Sequence, residues 1–168
     1  MITEIYPLEK IVINGDEIYL GMEKSAVEAV IGNGQAVGAR NYYFNGEMAI
    51  DYNDNKVDFI EFLAGADGDI QPTIYGISAF GSDAEALYEI LKKQNNGTVG
   101  DTEQGHSYQF HNISVGIYRE AVPSEITELI EEAKSFENPM SNDEIQYEMK
   151  RAPHWSTIAI GVAGYYKN

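Results

Sequence analysis

The sequence predicts an α+β fold, with a mostly antiparallel sheet and helices packed on it. Short runs of β-branched and aromatic residues are separated by turn residues, which is typical of β-hairpins. Segments with apolar residues at helical spacing stand between these hairpins. Few connections are long enough for a parallel crossover, so antiparallel pairing is expected. Since 168 residues suffice for one core, we expect a single domain over residues 1–168.

The first predicted elements are a hairpin and a short helix. Asn14 and Gly15 separate two short apolar runs, which predicts that the chain opens with a hairpin over residues 11–20. Apolar residues at helical spacing then predict a helix over residues 23–31, which Gly32 ends. The partner of its apolar face is expected to be a sheet.

The segment 41–64 is predicted to form a three-stranded meander. Turn residues interrupt it at Asn45-Gly46 and again at residues 53–55. The last run, residues 56–63, has apolar side chains on both faces, which predicts a strand in the centre of the sheet.

The middle of the chain repeats the order of a helix followed by a hairpin. A capping box beginning at Ser82 predicts a helix over residues 82–95, and alternating aromatic residues predict a hairpin over residues 106–118. The same order is found in residues 22–63 and in residues 82–118, but few side chains match between the two copies.

The last third is predicted to be mainly helical. Helices are expected over residues 124–136 and over residues 142–150, the second capped by Ser141. The final segment, 155–166, is rich in β-branched and aromatic residues and is predicted to be a strand.

Charge and composition restrict the class of function. The chain has 11 basic and 27 acidic residues and a net charge of −16. Such a charge repels nucleic acid and anionic membranes and attracts basic partners. The absence of cysteine excludes disulfides, thiolate metal sites and a cysteine nucleophile. Without a signal-peptide pattern or a membrane-spanning segment, the expected location is the cytoplasm.

A search for chemical motifs leaves weak alternatives. The acidic run from Asp51 to Glu61 places oxygen ligands as in part of a calcium loop, but Lys56 stands where the turn glycine belongs. No hydrolase, phosphate-binding or zinc-protease motif is present, so no cofactor is expected. The alternative is a small-ligand or metal-dependent enzyme. Its candidate groups are Asp51, Asp54, Asp58 and His106.

Carboxylates beside tyrosines predict instead a surface that meets an Arg- and Lys-rich partner. The acidic helices between Glu125 and Glu148 are the second choice for this surface. The residues expected to bind the partner are Asp51, Tyr52, Asp54, Asp58, Asp67 and Asp69.

The stretch from Ile18 to Gly32, with Leu20-Gly21-Met22 before a short helix, resembles the opening of small bacterial αβ modules. The aromatic hairpin and Lys56–Glu61 continue this likeness, which covers residues 16–63. Two groups of bacterial proteins share this kind of opening. Envelope lipoproteins and β-lactamase-inhibitor-protein-like domains usually need an export signal and often a lipidated cysteine. Immunity proteins encoded beside polymorphic or contact-dependent toxins need neither.

The resemblance to the immunity proteins implies a scaffold that plugs the active site of a basic toxin domain, for instance a nuclease. It transfers no functional residue, and it implies that shape and charge act rather than reactive groups. A regulatory adaptor with a different protein partner is the remaining alternative.

Overall fold

The computed structural model describes residues 1–135 and 139–167. Within these residues the chain forms 13 strands and 4 helices in two sheets, and pairing is mostly antiparallel, which confirms the α+β prediction. The helices are α1 (Lys24–Ile31), α2 (Ala84–Asn95), α3 (Pro123–Ala133) and α4 (Asn142–Arg151). The strands are β1 (Ile2–Tyr6), β2 (Lys10–Ile13), β3 (Asp16–Tyr19), β4 (Gln35–Val37), β5 (Arg40–Tyr43), β6 (Met48–Asn53), β7 (Lys56–Phe62), β8 (Gln71–Ile74), β9 (Ile77–Ser78), β10 (Val99–Asp101), β11 (Ser107–Phe110), β12 (Val115–Tyr118) and β13 (Thr157–Gly161).

The smaller sheet has the order β3-β2-β1-β8-β9. Its β2–β3 hairpin turns at Asn14 and Gly15, whose φ angles of 50° and 88° fit the left-handed region that such turns require. The prediction that the chain opens with this hairpin was wrong, because β1 precedes it. Thr3 and Ile5 of β1 are buried while their neighbours face solvent. β1 pairs antiparallel with β2 and parallel with β8.

The larger sheet has the order β10-β11-β12-β13-β7-β6-β5-β4 and is antiparallel throughout. The predicted meander is confirmed as β5-β6-β7, and β7 lies in the interior of the sheet between β6 and β13. The register shifts between Asp51 and Tyr52, which pair with Phe59 and Val57. Asp58 is therefore the extra residue of a β-bulge.

The topology repeats itself. The hairpin β2–β3 is followed by α1 and four antiparallel strands, β4 to β7, and the hairpin β8–β9 is followed by α2 and four more, β10 to β13. The two groups of four strands meet at the β7–β13 pair. The second group differs in one respect, because the helical hairpin α3–α4 is inserted between β12 and β13.

One buried cluster joins both sheets with α1 and α2. Val27 of α1 is fully buried in it, as are Leu87 and Leu91 of α2, so the apolar faces of both helices meet strand side chains as predicted. The prediction of a single domain stays a prediction. The strand residues of the cluster include Ile5, Ile11, Ile18, Met48, Ile60, Phe62, Phe110, Val115, Ile158 and Ile160.

Helix boundaries follow the predictions with two corrections. The capping box at Ser82 was wrong, because Asp83 caps α2 and accepts hydrogen bonds from the backbone N–H groups of Glu85 and Ala86. A carboxylate at this position also interacts favourably with the positive, N-terminal end of the helix dipole. Ser141 caps α4 in a capping box, as predicted. A second correction concerns α3, which was predicted to run to residue 136 but ends at Ala133, with Lys134 as its C-cap.

The final strand is shorter than predicted. β13 ends at Gly161, and a 3-10 turn follows at Tyr165–Lys167 after Gly164, whose φ is 81°. Tyr165 stacks on Phe59 with ring centroids 4.6 Å apart, so the end of the chain folds back over the larger sheet. In the described part of the chain, no helix has the length and apolarity needed to cross a membrane.

Candidate functional site

The six residues predicted to bind a partner lie at two ends of the β6–β7 hairpin. Asp54 stands in the turn before β7, whereas Asp67 and Asp69 follow the end of β7. The 7 residues of β7 extend by about 3.3 Å each, so roughly 20 Å separates Asp54 from Asp67. These carboxylates therefore do not form one compact cluster.

Asp51 is paired within the chain. The guanidinium of Arg40 bonds to Asp51 through Nε at 3.0 Å and Nη2 at 3.2 Å, and to Glu61 through Nη1 at 2.6 Å. Burial opposes the charged form of Arg40, but the bonds to the two carboxylates outweigh it and raise its pKa. The charge of Asp51 is largely satisfied by this network, on the face of the sheet that also holds Phe59.

Tyr52 takes part in packing. Its hydroxyl forms a 2.6 Å hydrogen bond with the hydroxyl of Tyr43, and the ammonium of Lys24 lies 5.6 Å from its ring centroid. Burial raises the pKa of Tyr52. This tyrosine has limited contact area left for a partner.

Asp54 and Asp58 do not join His106 in a reaction site. Asp54 occupies an exposed turn with φ 49°, and Asp58 is the half-buried bulge residue. His106 precedes β11, which lies three strands from β7, about 14 Å across the sheet. Among the residues that the structure describes, no group of three or more His, Cys, Asp or Glu side chains could hold a metal ion.

Asp67 lies at a cleft, and this cleft is the best-formed concavity near any predicted residue. It has a volume of about 290 Å³ and separates the loop after β7 from α4 and the segment before β13. Its lining includes Asp67, Glu120, Tyr147, Lys150, Arg151, His154 and Trp155.

A second depression of about 430 Å³ adjoins the cleft on the α3 side. Glu120 and Arg151 line both concavities and form an ion pair between them. Leu129 and Ile126 of α3 form its apolar wall, and Glu125 lies at its rim. The two concavities together form a groove, named here the helical groove, along the α3–α4 hairpin.

The helical groove combines acidic and exposed apolar groups. Its lining holds four acidic side chains, Asp67, Glu120, Glu125 and Glu148, and two basic ones, Lys150 and Arg151. Leu129 is 46% exposed and Tyr147 is 52% exposed. Large apolar side chains that stay accessible inside a charged rim are typical of protein-binding surfaces.

Two ion pairs connect the α3–α4 hairpin to residues next to β11 and β12 of the larger sheet. His106 places Nε2 2.9 Å from a carboxylate oxygen of Glu125 in α3, and its Nδ1 lies 3.0 Å from the carbonyl oxygen of Arg119. Arg151 at the end of α4 pairs with Glu120, which follows β12, and it also contacts Glu148 within α4 itself.

The His106–Glu125 pair predicts a pH-dependent stability. The hydrogen bond to Glu125, the largest cause, and the bond to the Arg119 carbonyl raise the pKa of His106. A raised histidine pKa means that the stabilisation is fully present below the unfolded pKa and is lost as pH rises through the folded pKa. Since Glu125 is 53% exposed on its side chain, the effect should stay below about 1 kcal/mol.

The measurement is urea unfolding of the parent and of His106→Gln at intervals from pH 5 to pH 9. The stability difference between the two should shrink as pH rises. A difference that stays constant over this range would show that the pair contributes nothing that depends on protonation.

The fold and the groove define an α+β protein with a cleft along its helical hairpin. A scan against protein-family models found no match, and searches of curated proteins and of solved structures found none either.

Sequence reasoning missed the residues that shape the groove. Glu120, Leu129, Tyr147 and Arg151 were not singled out as site residues. The sequence offered one indication of this surface, the acidic last third with the large side chains Leu129 and Tyr147. Periodicity alone does not tell which apolar side chains of a helix stay exposed.

Proposed function

We propose that this protein is an immunity protein that binds and neutralises a basic toxin domain, such as a nuclease, through the helical groove. The observation that carries the proposal is an acidic helical hairpin whose Leu129 and Tyr147 stay exposed beside a cleft that also holds Asp67. The apolar side chains provide contact area, and the carboxylates select a basic surface.

The net charge of −16 supports a basic partner. Long-range attraction of this kind speeds association and is weakened by salt. The resemblance of residues 16–63 to immunity proteins is a further, independent support.

The direct experiment is binding to the product of the adjacent gene, with its toxicity or nuclease activity as a second readout. We expect a complex whose association slows at high salt and whose formation suppresses the toxic activity. Binding without suppression would favour an adaptor with a different partner. No complex, or binding that strengthens with salt, would contradict the proposal.

Charge variants at the two ends of β7 locate the interface. We expect Asp67→Asn with Asp69→Asn to slow association with the basic partner and to reduce its dependence on salt. Asp54→Asn removes one charge from the opposite end of β7, and it is the control against which each single variant, Asp67→Asn and Asp69→Asn, is also compared. Stability should change by no more than about 0.5 kcal/mol in these variants, because all three side chains are at or near the surface.

Equal association rates for the parent and the Asp67/Asp69 variant, measured by surface plasmon resonance at low salt, would remove this loop from the interface. A loss of affinity in Leu129→Ala and Tyr147→Ala would then still place the partner on α3 and α4.

A further inference from the structure

The outer face of the smaller sheet is a second open surface. Alternation along β1 turns Ile2, Glu4 and Tyr6 away from the core while Thr3 and Ile5 are buried. Ile2 is 86% exposed, and Tyr6 is 36% exposed. We name this surface, formed by the outward side chains of β1, β2, β3 and β8, the N-terminal sheet face.

Two tyrosines lie in one row across this face, and a third follows the end of β8. The register pairs Tyr6 with Lys10 and Lys10 with Tyr19. Ile5 pairs with Ile74, the last residue of β8, and Tyr75 follows in the turn to β9 with a φ of 49°. Tyr19 and Tyr75 are 41% and 38% exposed, respectively. Rows of accessible tyrosines are unusual on a solvent-facing sheet and are frequent in protein interfaces.

The ammonium of Lys10 lies beside two tyrosine rings of this row. It is 5.5 Å from the ring centroid of Tyr6 and 5.2 Å from that of Tyr19. The same ammonium bonds to the Glu17 carboxylate at 2.5 Å, and this bond raises the pKa of Lys10 to about 12. Two tyrosine rings and a carboxylate therefore form a cation site that the chain itself fills.

Glu4 lies beside this row and has no cation of its own. It pairs in register with Val12, next to Glu17, and with Thr73 on the other side. Among the described residues, Glu4 has no Lys, Arg or His nitrogen within the 4.0 Å of an ion pair. Tyr6, whose ring Lys10 also contacts, is two residues further along β1, and Tyr75 follows the end of β8.

We propose that the N-terminal sheet face binds an arginine-bearing segment of a protein partner, with the guanidinium held between Glu4 and the rings of Tyr6 and Tyr75. Arginine suits this site because its planar guanidinium stacks on aromatic rings and bonds a carboxylate through two N–H groups. The proposal does not depend on the immunity function, because no residue of this face belongs to the helical groove.

Charge argues against a second copy of the chain as the occupant. Glu4, Glu9, Asp16 and Glu17 lie on or beside the face, whereas Lys10 is the one cation among these residues and is already paired. Two such faces brought together would oppose like charges on chains that each carry −16.

The test is an NMR titration of the full chain with three nine-residue peptides. One peptide consists of arginine only, one of lysine only and one of glutamate only. The arginine peptide should shift amide signals of β1, β2 and β8 most strongly and should bind more tightly than the lysine peptide. The glutamate peptide should not bind.

The double variant Glu4→Gln with Tyr6→Ala should weaken binding of the arginine peptide about fivefold and bring it close to the lysine peptide, because both the carboxylate and one ring are lost. Glu103→Gln removes one charge from an exposed loop and is the control. Fluorescence of Trp155, the one tryptophan of the chain, checks that the double variant folds.

Three outcomes would overturn the proposal. Shifts spread over all acidic surfaces, with unchanged affinity in the double variant, would indicate general charge attraction. Shifts confined to α3 and α4 would leave the helical groove as the binding site and remove this face. Concentration-dependent dimerisation that the double variant abolishes would identify a second copy as the occupant.

Discussion

Replacing Trp155 by alanine should destabilise the protein by about 3–5 kcal/mol, the range for removing a large aromatic side chain from a core. Trp155 is 1% exposed, and its indole N–H donates a 2.8 Å hydrogen bond to the carbonyl oxygen of Ala84. Its ring meets Tyr108 edge-on at 5.9 Å, and the guanidinium of Arg119 lies 4.6 Å from its centroid. The substitution therefore removes packing and leaves the Ala84 carbonyl without this donor.

The expected loss is measured by urea unfolding followed by circular dichroism, since the variant has no tryptophan to report. Trp155→Phe is the matched variant, because it keeps an aromatic ring but cannot donate the hydrogen bond. It should cost less, about 1–2 kcal/mol. Tyr147→Ala, an exposed aromatic on α4, should leave stability within about 0.5 kcal/mol. A Trp155→Ala variant as stable as the parent would show that the segment before β13 does not contribute to the core.

Asn95→Ala is expected to destabilise the protein by about 2–4 kcal/mol, because one buried and two part-buried backbone groups lose their hydrogen-bond partner. Asn95 is 2% exposed and ends α2. Its Oδ1 accepts hydrogen bonds from the backbone N–H groups of Asn112 at 2.7 Å and Ile113 at 3.3 Å. Its Nδ2 donates to the carbonyl oxygen of Thr98 at 3.0 Å.

This side chain joins α2 to the turn between β11 and β12, so its loss should also loosen that turn. Hydrogen exchange of the Asn112 and Ile113 amides should accelerate more than exchange elsewhere in the sheet. Gln94→Ala removes an exposed amide from the same helix turn and is the control. If both variants lose equal stability, the effect belongs to the helix and not to the buried amide.

Local patterns predicted the elements that depend on local forces. The turn at Asn14-Gly15, the meander over residues 41–64 and the capping box at Ser141 follow from backbone preferences within a few residues. β1 was missed because its short alternating run ends at Pro7 and gives no hairpin signal of its own. It pairs with β2 on one side, and on the other side with β8, about 70 residues later in the chain, through a parallel pairing that no local pattern encodes.

The site was harder to predict for the same reason. The carboxylates of the segment 51–61 are close in sequence, but Arg40 pairs with Asp51 across the β5–β6 strands and removes it from the surface. Asp67 was singled out, but its neighbours on α4 are about 80 residues away in sequence. Proximity along the chain was therefore a poor guide to which charges share a surface.

The position of β13 has a consequence for how the chain is made. The last strand of the sequence lies in the interior of the larger sheet, where it separates β12 from β7. During synthesis the two groups of four strands cannot join until residues 157–161 leave the ribosome, so both β7 and β12 present open edges until then. A nascent chain stalled before β13 should therefore be captured by chaperones, and the emergence of residues 157–161 should be the step that closes the sheet.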